Sequence, residues 1–203
     1  MISIIDYGLG NILAFQNIYK KLNIPVNIIT NHNEIRHSSK LILPGVGSFD
    51  WAIKSLRETG MLPSLNNAVL NDNKPILGIC VGMQIMGDTS QEGAREGLGW
   101  INIRFNKFNK KNDKQLKPPH MGWNSVFSLK SKLFDNIKNN SYFYFLHSYY
   151  AAEPNEKYCI AKTQYGPSFI SAVRNDNIYG VQFHPEKSHD DGIQLLKNFA
   201  EHC

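Results

Sequence analysis

Lys74-Pro75-Ile76-Leu77-Gly78-Ile79-Cys80-Val81-Gly82-Met83-Gln84 sets a short apolar run directly before a cysteine framed by glycines. Ile76 to Ile79 has the length and bulk of a strand buried on both faces. Gly78-Ile79-Cys80-Val81-Gly82 has the spacing of a nucleophile elbow, with sulfur where the commoner form has a serine hydroxyl. In such an elbow a tight strand-to-helix turn strains the nucleophile's backbone, and small neighbours let the turn close and substrate approach. A helix starting near Gly82 points its N-terminal N–H groups and dipole at Cys80, which favours negative charge on the sulfur. The Val81 N–H falls where an oxyanion donor belongs. A structural cysteine at the end of a core strand fits the same letters equally well, because free cysteine is among the most buried residue types. An elbow needs a base, so the rest of the chain has to decide.

Upstream, Ile2 to Ile5, Val26 to Ile29 and Lys40 to Leu43 read as strands. Ile12, Phe15, Tyr19 and Leu22 fall on one helical face between the first two, with Asn11 as the expected N-cap. Gly8 and Gly10 follow the first strand, but Leu13 occupies the third glycine position of a dinucleotide fingerprint, so that site is rejected. Pro44-Gly45-Val46-Gly47 ends the third strand, at the sheet edge where open α/β sheets bind ligands. Helical stretches over Trp51–Leu56 and Pro63–Leu70 complete the alternation, with Gly60 as a break. The expected fold is α/β, with a doubly wound, mostly parallel sheet.

Downstream the texture changes. Gly87 to Gly99 is rich in glycine and charge and reads as surface. Ile101–Phe105, Asn124–Phe127 and Tyr142–Leu146 read as short strands of an antiparallel or mixed annex, and Lys157–Lys162, Phe169–Val173 and Ile178–Val181 read as further strands. Pro118 to Asn124 reads as a rigid loop, either packed or presented. Ser188 to Ala200 reads as a closing helix, with Ser188 and Asp191 at capping-box spacing.

The chain has 203 residues, 42% of them hydrophobic, enough for one domain spanning 1–203 with a substantial core. No apolar run reaches the ~20 residues of a membrane span, and Met1 leads into a strand rather than a signal peptide. The cysteines at 80, 159 and 203 show no paired spacing, which argues against a disulfide framework or zinc site. A reducing, cytoplasmic setting is expected. The net charge is +5, with the densest lysines at Lys107, Lys110, Lys111, Lys114 and Lys117. Asparagines break this cluster and it lacks interleaved aromatics, so it reads as a solvated loop, not a nucleic-acid site.

Val181-Gln182-Phe183-His184-Pro185-Glu186-Lys187-Ser188 supplies what the elbow lacks. A strand ends, His184 emerges at its tip, Pro185 stiffens the turn and Glu186 follows. A cysteine nucleophile needs an imidazole to take its proton and later return it to the leaving group. The imidazole needs an acceptor on its other nitrogen to fix the tautomer. His120 and His147 are the remaining candidates, and neither has a carboxylate in a comparable unit.

Gly78-Ile79-Cys80-Val81-Gly82-Met83-Gln84 with Phe183-His184-Pro185-Glu186 resembles the class I, or triad, glutamine amidotransferases. Asp6-Tyr7-Gly8-Leu9-Gly10-Asn11, Leu43-Pro44-Gly45-Val46-Gly47, Pro119-His120-Met121-Gly122-Trp123-Asn124 and Phe143-Tyr144-Phe145-Leu146-His147-Ser148-Tyr149 extend the likeness nearly end to end. They narrow it to the branch that supplies ammonia for imidazole glycerol phosphate synthesis. The resemblance implies a flavodoxin-like sheet, Cys80 as nucleophile, His184 as base and acid, and Glu186 as its orienter. It implies Val46 and Val81 N–H groups as oxyanion donors, and Gly47, Gln84, Ser148 and Tyr149 around the substrate glutamine. It also implies a heterodimer with a (β/α)8 cyclase subunit docked near Asn11, Met121, Trp123, Tyr144 and Lys187. That partner makes imidazole glycerol phosphate and an aminoimidazole carboxamide ribonucleotide in histidine biosynthesis; no metal or organic cofactor is implied. Val81 stands where leucine is commoner, and Pro118 precedes the usual Pro-His. A paralogous branch feeding ammonia to a surface-sugar amidotransferase shares the same catalytic residues, because the glutaminase never touches the acceptor. A cysteine hydrolase on a similar sheet would lack the match at Gln84 and Ser148-Tyr149.

Overall fold

The computed structural model describes residues 1–109, 116–152 and 156–203. Lys110, Lys111 and Lys114 of the lysine cluster lie outside the described residues. The strands are β1 (Ile2–Ile5), β2 (Val26–Ile29), β3 (Lys40–Gly45), β4 (Ile76–Cys80), β5 (Thr89–Ser90), β6 (Arg104–Lys107), β7 (His120–Val126), β8 (Ser141–His147), β9 (Tyr149–Ala151), β10 (Cys159–Gln164), β11 (Ser168–Asn175) and β12 (Ile178–Val181). The helices are α1 (Ile12–Lys21), α2 (Phe49–Glu58), α3 (Leu62–Asn66), α4 (Val81–Ile85) and α5 (His189–His202).

One sheet runs in the order β2-β1-β3-β4-β12-β11-β9-β6-β5, with β10 also paired to β11. From β2 to β12 every pairing is parallel; β11 then turns the sheet antiparallel. Strand β4 lies within the parallel part, between β3 and β12. Every residue of β1, β4 and β12 is buried, as a sheet covered on both faces requires. Helix α1 buries Phe15 and Tyr19, four residues apart, and the Tyr19 hydroxyl donates to the Leu196 carbonyl of α5 at 3.1 Å. Lys40 Nζ donates to the Phe199 and Ala200 carbonyls near the end of α5, at 3.1 and 2.7 Å. Strands β7 and β8 form a separate antiparallel ribbon, joined to the sheet by a bridge between Phe127 and Lys162. The α/β architecture expected from the sequence, a doubly wound and mostly parallel sheet with a mixed β annex, is the one observed.

Register places the chemistry. Gly45 pairs with Cys80 across β3 and β4, and Val181 pairs with Ile79 across β12 and β4. The three strand ends therefore lie side by side at one edge. Two glycines make that approach possible. A Cβ on Gly82 would lie 1.9 Å from the Leu43 carbonyl oxygen, and one on Gly45 would lie 2.4 Å from the Gly82 nitrogen.

Several local expectations are corrected. Pro118–Asn124 is not a loop: after a cis Pro118-Pro119 bond, His120 opens strand β7, because pairing with β8 satisfies its backbone. Asn11 occupies the N-cap position of α1 without a side-chain capping bond. Ser188 occupies that of α5, but its hydroxyl is used elsewhere, so there is no capping box. The annex strands start later or earlier than patterning indicates: β6 begins at Arg104, and Ile101 and Ile103 are buried outside any strand. Gly87–Gly99 is not wholly surface, since Gly87 and Ser90 are buried.

Candidate active site

Strand β4 ends on Cys80, whose φ of 55° and ψ of −113° are unusual for a residue with a side chain. Such a conformation costs about 1–3 kcal/mol and persists only where surrounding packing dictates it. Here the small Gly78 and Gly82 let β4 turn directly into α4 against β3. The elbow is therefore present as the glycine spacing implied, and the reading of Cys80 as an ordinary strand residue fails on its backbone.

Beyond β12 the chain delivers His184 to the same edge. The His184 side chain lies beside that of Cys80, and its Nδ1 lies 2.9 Å from Glu186 Oε1. Both members of the second pair are nearly inaccessible, with side chains 3% and 2% exposed. Burial by itself would push the imidazolium down, but hydrogen bonds and charge from Cys80 and Glu186 outweigh it and raise His184 to about 10. His184 thus carries a proton at neutral pH. The second carboxylate oxygen, Glu186 Oε2, is buried and has no hydrogen-bond partner.

The backbone around His184 is fixed by the ribbon. The His184 N–H donates to the Tyr144 carbonyl at 2.8 Å. Ser188 Oγ donates to the His184 carbonyl at 2.6 Å and accepts from the Tyr144 N–H at 3.1 Å. The hydroxyl expected to cap a helix instead closes a ring of bonds between the base and strand β8. On the opposite side, the Tyr7 hydroxyl donates to the Pro44 carbonyl at 2.7 Å. Burial, then the nearby Cys80, pushes the Tyr7 phenol well above its ordinary range, so it stays a donor to the glycine-rich segment.

A cleft of about 260 Å³ opens over Cys80, lined by Val46, Gly47, Cys80, Val81, Glu92, Pro119, Leu146, His147, Ser148, His184 and Lys187. Val46, Gly47, Val81, Ser148 and Lys187 were singled out in the sequence. Gln84 and Tyr149 are not among the lining residues; the buried Gln84 donates to the Tyr149 carbonyl at 3.3 Å and to Gln182 Oε1 at 3.0 Å. Glu92 was missed. It sits in the stretch read as surface, yet its carboxylate accepts from the Phe49 N–H at 2.8 Å and reaches the cleft. Burial pushes its pKa up; the Phe49 N–H opposes this and Asp50 adds to it. No local spacing marks Glu92, because folding brings it in.

The two competing histidines are not bases here. His147 Nδ1 faces the Tyr149 carbonyl at 2.8 Å, so it carries hydrogen and leaves Nε2 to accept from His120 Nδ1 at 2.9 Å. His120 Nε2 then accepts from Asn124 Nδ2 at 3.0 Å. Burial lowers His120 to about 4 and His147 to about 3, so both are neutral at pH 7.

The outer face of the β7–β8 ribbon carries exposed apolar side chains. Met121 and Trp123 stand 64% and 46% exposed on the outer face of β7. Tyr144 pairs with Trp123 in register, and Lys187 Nζ lies 5.5 Å over the Tyr144 ring. Trp123 stacks on His189 at 4.9 Å. Asn11 is exposed just after Gly10, which abuts Pro44 on the same edge of the sheet. Among the described residues no cluster of acidic, cysteine or histidine groups could hold a metal ion, and no helix is long and apolar enough to cross a membrane.

The family described as glutamine amidotransferase class-I matches residues 3–203. The chain is 50% identical over 203 residues to imidazole glycerol phosphate synthase subunit HisH of Bdellovibrio bacteriovorus, covering 99% of this chain and 100% of that one. It is 48% identical to the protein of the same name from Leptospira borgpetersenii, covering 98% of this chain and 99% of that one. Among solved structures, a glutamine amidotransferase superposes with a TM-score of 0.75 at 15% identity, covering 98% of both chains. PurLQS from Thermotoga maritima gives 0.72 at 12% identity, covering 98% of this chain and 96% of that one; likeness at this level concerns the fold. With a match along almost its whole length and an elbow, base and carboxylate gathered at one sheet edge, the chain belongs to the class I glutamine amidotransferases.

Proposed function

We propose that this chain is the glutaminase subunit of an imidazole glycerol phosphate synthase, acting as one domain through Cys80, His184 and Glu186. The observation that carries the reading is the line from sulfur to imidazole to buried carboxylate, set in a cleft partly walled by the ribbon that bears the exposed Trp123. Cys80 sulfur attacks the carboxamide carbon of glutamine. The charge on the carbonyl oxygen is met by the Val46 and Val81 N–H groups. His184 gives its proton to the nitrogen, the C–N bond breaks, and ammonia leaves a glutamyl thioester. Water then adds to the thioester carbon as His184 takes its proton, the C–S bond breaks with its electron pair on sulfur, and glutamate departs. Gly47 and Ser148 bound the substrate directly; Gln84 and Tyr149 support the wall behind it. Glu92 places a carboxylate where the α-ammonium group of glutamine can reach it.

The ammonia passes to a (β/α)8 cyclase subunit docked on Asn11, Met121, Trp123, Tyr144 and Lys187. That arrangement makes a heterodimer of the histidine pathway. The Pro44–Gly47 segment provides an oxyanion donor where it leaves strand β3, with Pro44 and Gly45 buried and Val46 41% accessible. Its backbone orientation sets activity, so the isolated chain hydrolyses glutamine weakly and the liganded complex strongly. In the complex, Cys80→Ala abolishes glutamine-dependent synthesis while added ammonium still supports it. Retained glutamine turnover in that variant would refute the assignment of the nucleophile. Capture of a surface-sugar amidotransferase subunit, in place of the histidine-pathway cyclase, would refute the assignment of the acceptor.

A further inference from the structure

We propose that Gln182 is a catalytic residue of the glutaminase reaction, donating its amide N–H to the Cys80 sulfur whenever that sulfur carries charge. Gln182 is fully buried, two residues before His184, and its Nε2 lies 3.7 Å from Cys80 Sγ. Its orientation is fixed from outside the residue. Gln84 Nε2 faces the Tyr149 carbonyl, which can only accept, so that end of Gln84 is the NH₂ group. The second hydrogen of the same NH₂ needs an acceptor, and Gln182 Oε1 stands 3.0 Å away. With its oxygen taken by Gln84, Gln182 has only its own NH₂ left for the sulfur. The carbonyl that orients Gln84 is itself held by His147 Nδ1 at 2.8 Å, and His147 is held in turn by His120 on the ribbon. The nucleophile is therefore met by a donor whose direction depends on buried neutral groups, independent of the His184–Glu186 pair.

A hydrogen bond to sulfur matters most when the sulfur is anionic, since charge-assisted bonds are about twice as strong as neutral ones. In this cycle sulfur is anionic twice: before it attacks the carboxamide carbon, and after the C–S bond of the thioester breaks with its electron pair on sulfur. Between those points it is a thioester sulfur and a poor acceptor. Gln182 thus favours the charged ends of the cycle over its covalent middle. It contributes to kcat and leaves glutamine binding alone, because it lies behind the nucleophile and outside the cleft lining.

This inference takes from the glutaminase reading the identity of the nucleophile, and it is tested in the complex with the cyclase partner. Gln182→Met keeps the length of the side chain and removes the donor. The thiolate population should fall about tenfold, the low end for a bond to a charged group because the contact is long. Lower population is partly offset by higher intrinsic nucleophilicity, so alkylation of Cys80 by iodoacetamide at pH 7, followed by mass spectrometry of its peptide, should slow about threefold. The kcat for glutamine should fall about tenfold with KM unchanged. Gln84→Met leaves Gln182 in place but frees its amide to turn, and should move alkylation and kcat in the same direction by less. Wild-type alkylation and kcat in a folded Gln182→Met protein overturn the proposal, as does a rise in KM alone. If that variant does not fold, unchanged alkylation in Gln84→Met overturns it. Alkylation needs no glutamine turnover, so failure of the glutaminase reading would appear separately, as a wild-type protein without glutaminase activity.

Discussion

Replacing Glu186 by glutamine isolates the charge of the orienter from its shape. The wild-type contact is 2.9 Å between Oε1 and His184 Nδ1, with both side chains almost wholly buried. Glutamine can present the same oxygen to the same N–H, so the ring position and tautomer survive. Its amide nitrogen takes the place of an oxygen that already lacks a partner, so one unpaired buried atom replaces another. What is lost is the difference between a hydrogen bond to a charged group, about 1.5–3 kcal/mol, and a neutral one, about 0.5–1.5 kcal/mol. A loss of about 1–1.5 kcal/mol applied to steps in which His184 is an imidazolium slows kcat roughly five- to fifteenfold. KM for glutamine should stay put, because Glu186 does not line the cleft.

The pH dependence supplies the second readout. His184 is raised from 6.5 to about 10, against the effect of burial, by Cys80 and Glu186. Removing the Glu186 charge takes away one of the groups that raise it, so the alkaline limb of the glutaminase profile moves toward neutrality in Glu186→Gln. The stability sign follows from the same shift. A raised folded-state value contributes stability that is fully present below about 6.5 and lost as pH climbs through about 10. Wild type should therefore lose melting temperature over that range more steeply than the variant. The assay is glutamate release by the liganded complex, with added ammonium as the control for the partner. A variant with wild-type kcat and an unmoved alkaline limb would refute the role given to Glu186.

Two further outcomes test the frame around the triad. Gly82→Ala drives a Cβ into the Leu43 carbonyl oxygen, backbone against backbone, where neither side can yield cheaply. An overpacking cost of about 2–3 kcal/mol should lower the melting temperature by roughly 5–10 °C, with glutaminase lost alongside; a wild-type melting curve would mean the elbow is looser than described. Trp123→Ala removes an exposed ring from the ribbon without opening the core, so the isolated chain should melt as wild type does. Calorimetric titration with the cyclase should show roughly 30-fold weaker binding, the loss of about 2 kcal/mol expected of a central aromatic anchor. Unchanged affinity would move the docking face elsewhere on the molecule.

Much of this was written locally. Ile76–Ile79 forms a buried strand wherever a sheet is available, and Gly78 and Gly82 around Cys80 admit a strand-to-helix turn that larger residues would block. His184, Pro185 and Glu186 lie within three positions, so the base and its orienter meet through short-range geometry alone. The parallel half of the fold was legible for the same reason, since its strands are short, mostly apolar and separated by turn residues.

The annex was harder to read, because its strands alternate only partly and are fixed by their partners. His120 to Asn124, with prolines before it and a glycine inside, has the letters of a loop and becomes a strand only opposite β8. Glu92 is one charge among several in a glycine-rich stretch until folding brings its carboxylate beside the Phe49 N–H and into the cleft. Ser188 has a helix-capping spacing, yet its hydroxyl bonds to groups 44 and four residues away. The sequence by itself determined the elbow at Cys80 and the pairing of His184 with Glu186, since strand bulk, turn sterics and the His-Pro-Glu unit act over a few residues. Only the tertiary structure decided what holds and aims those atoms, because a hydrogen bond between residues 98 or 102 positions apart leaves no mark in local spacing.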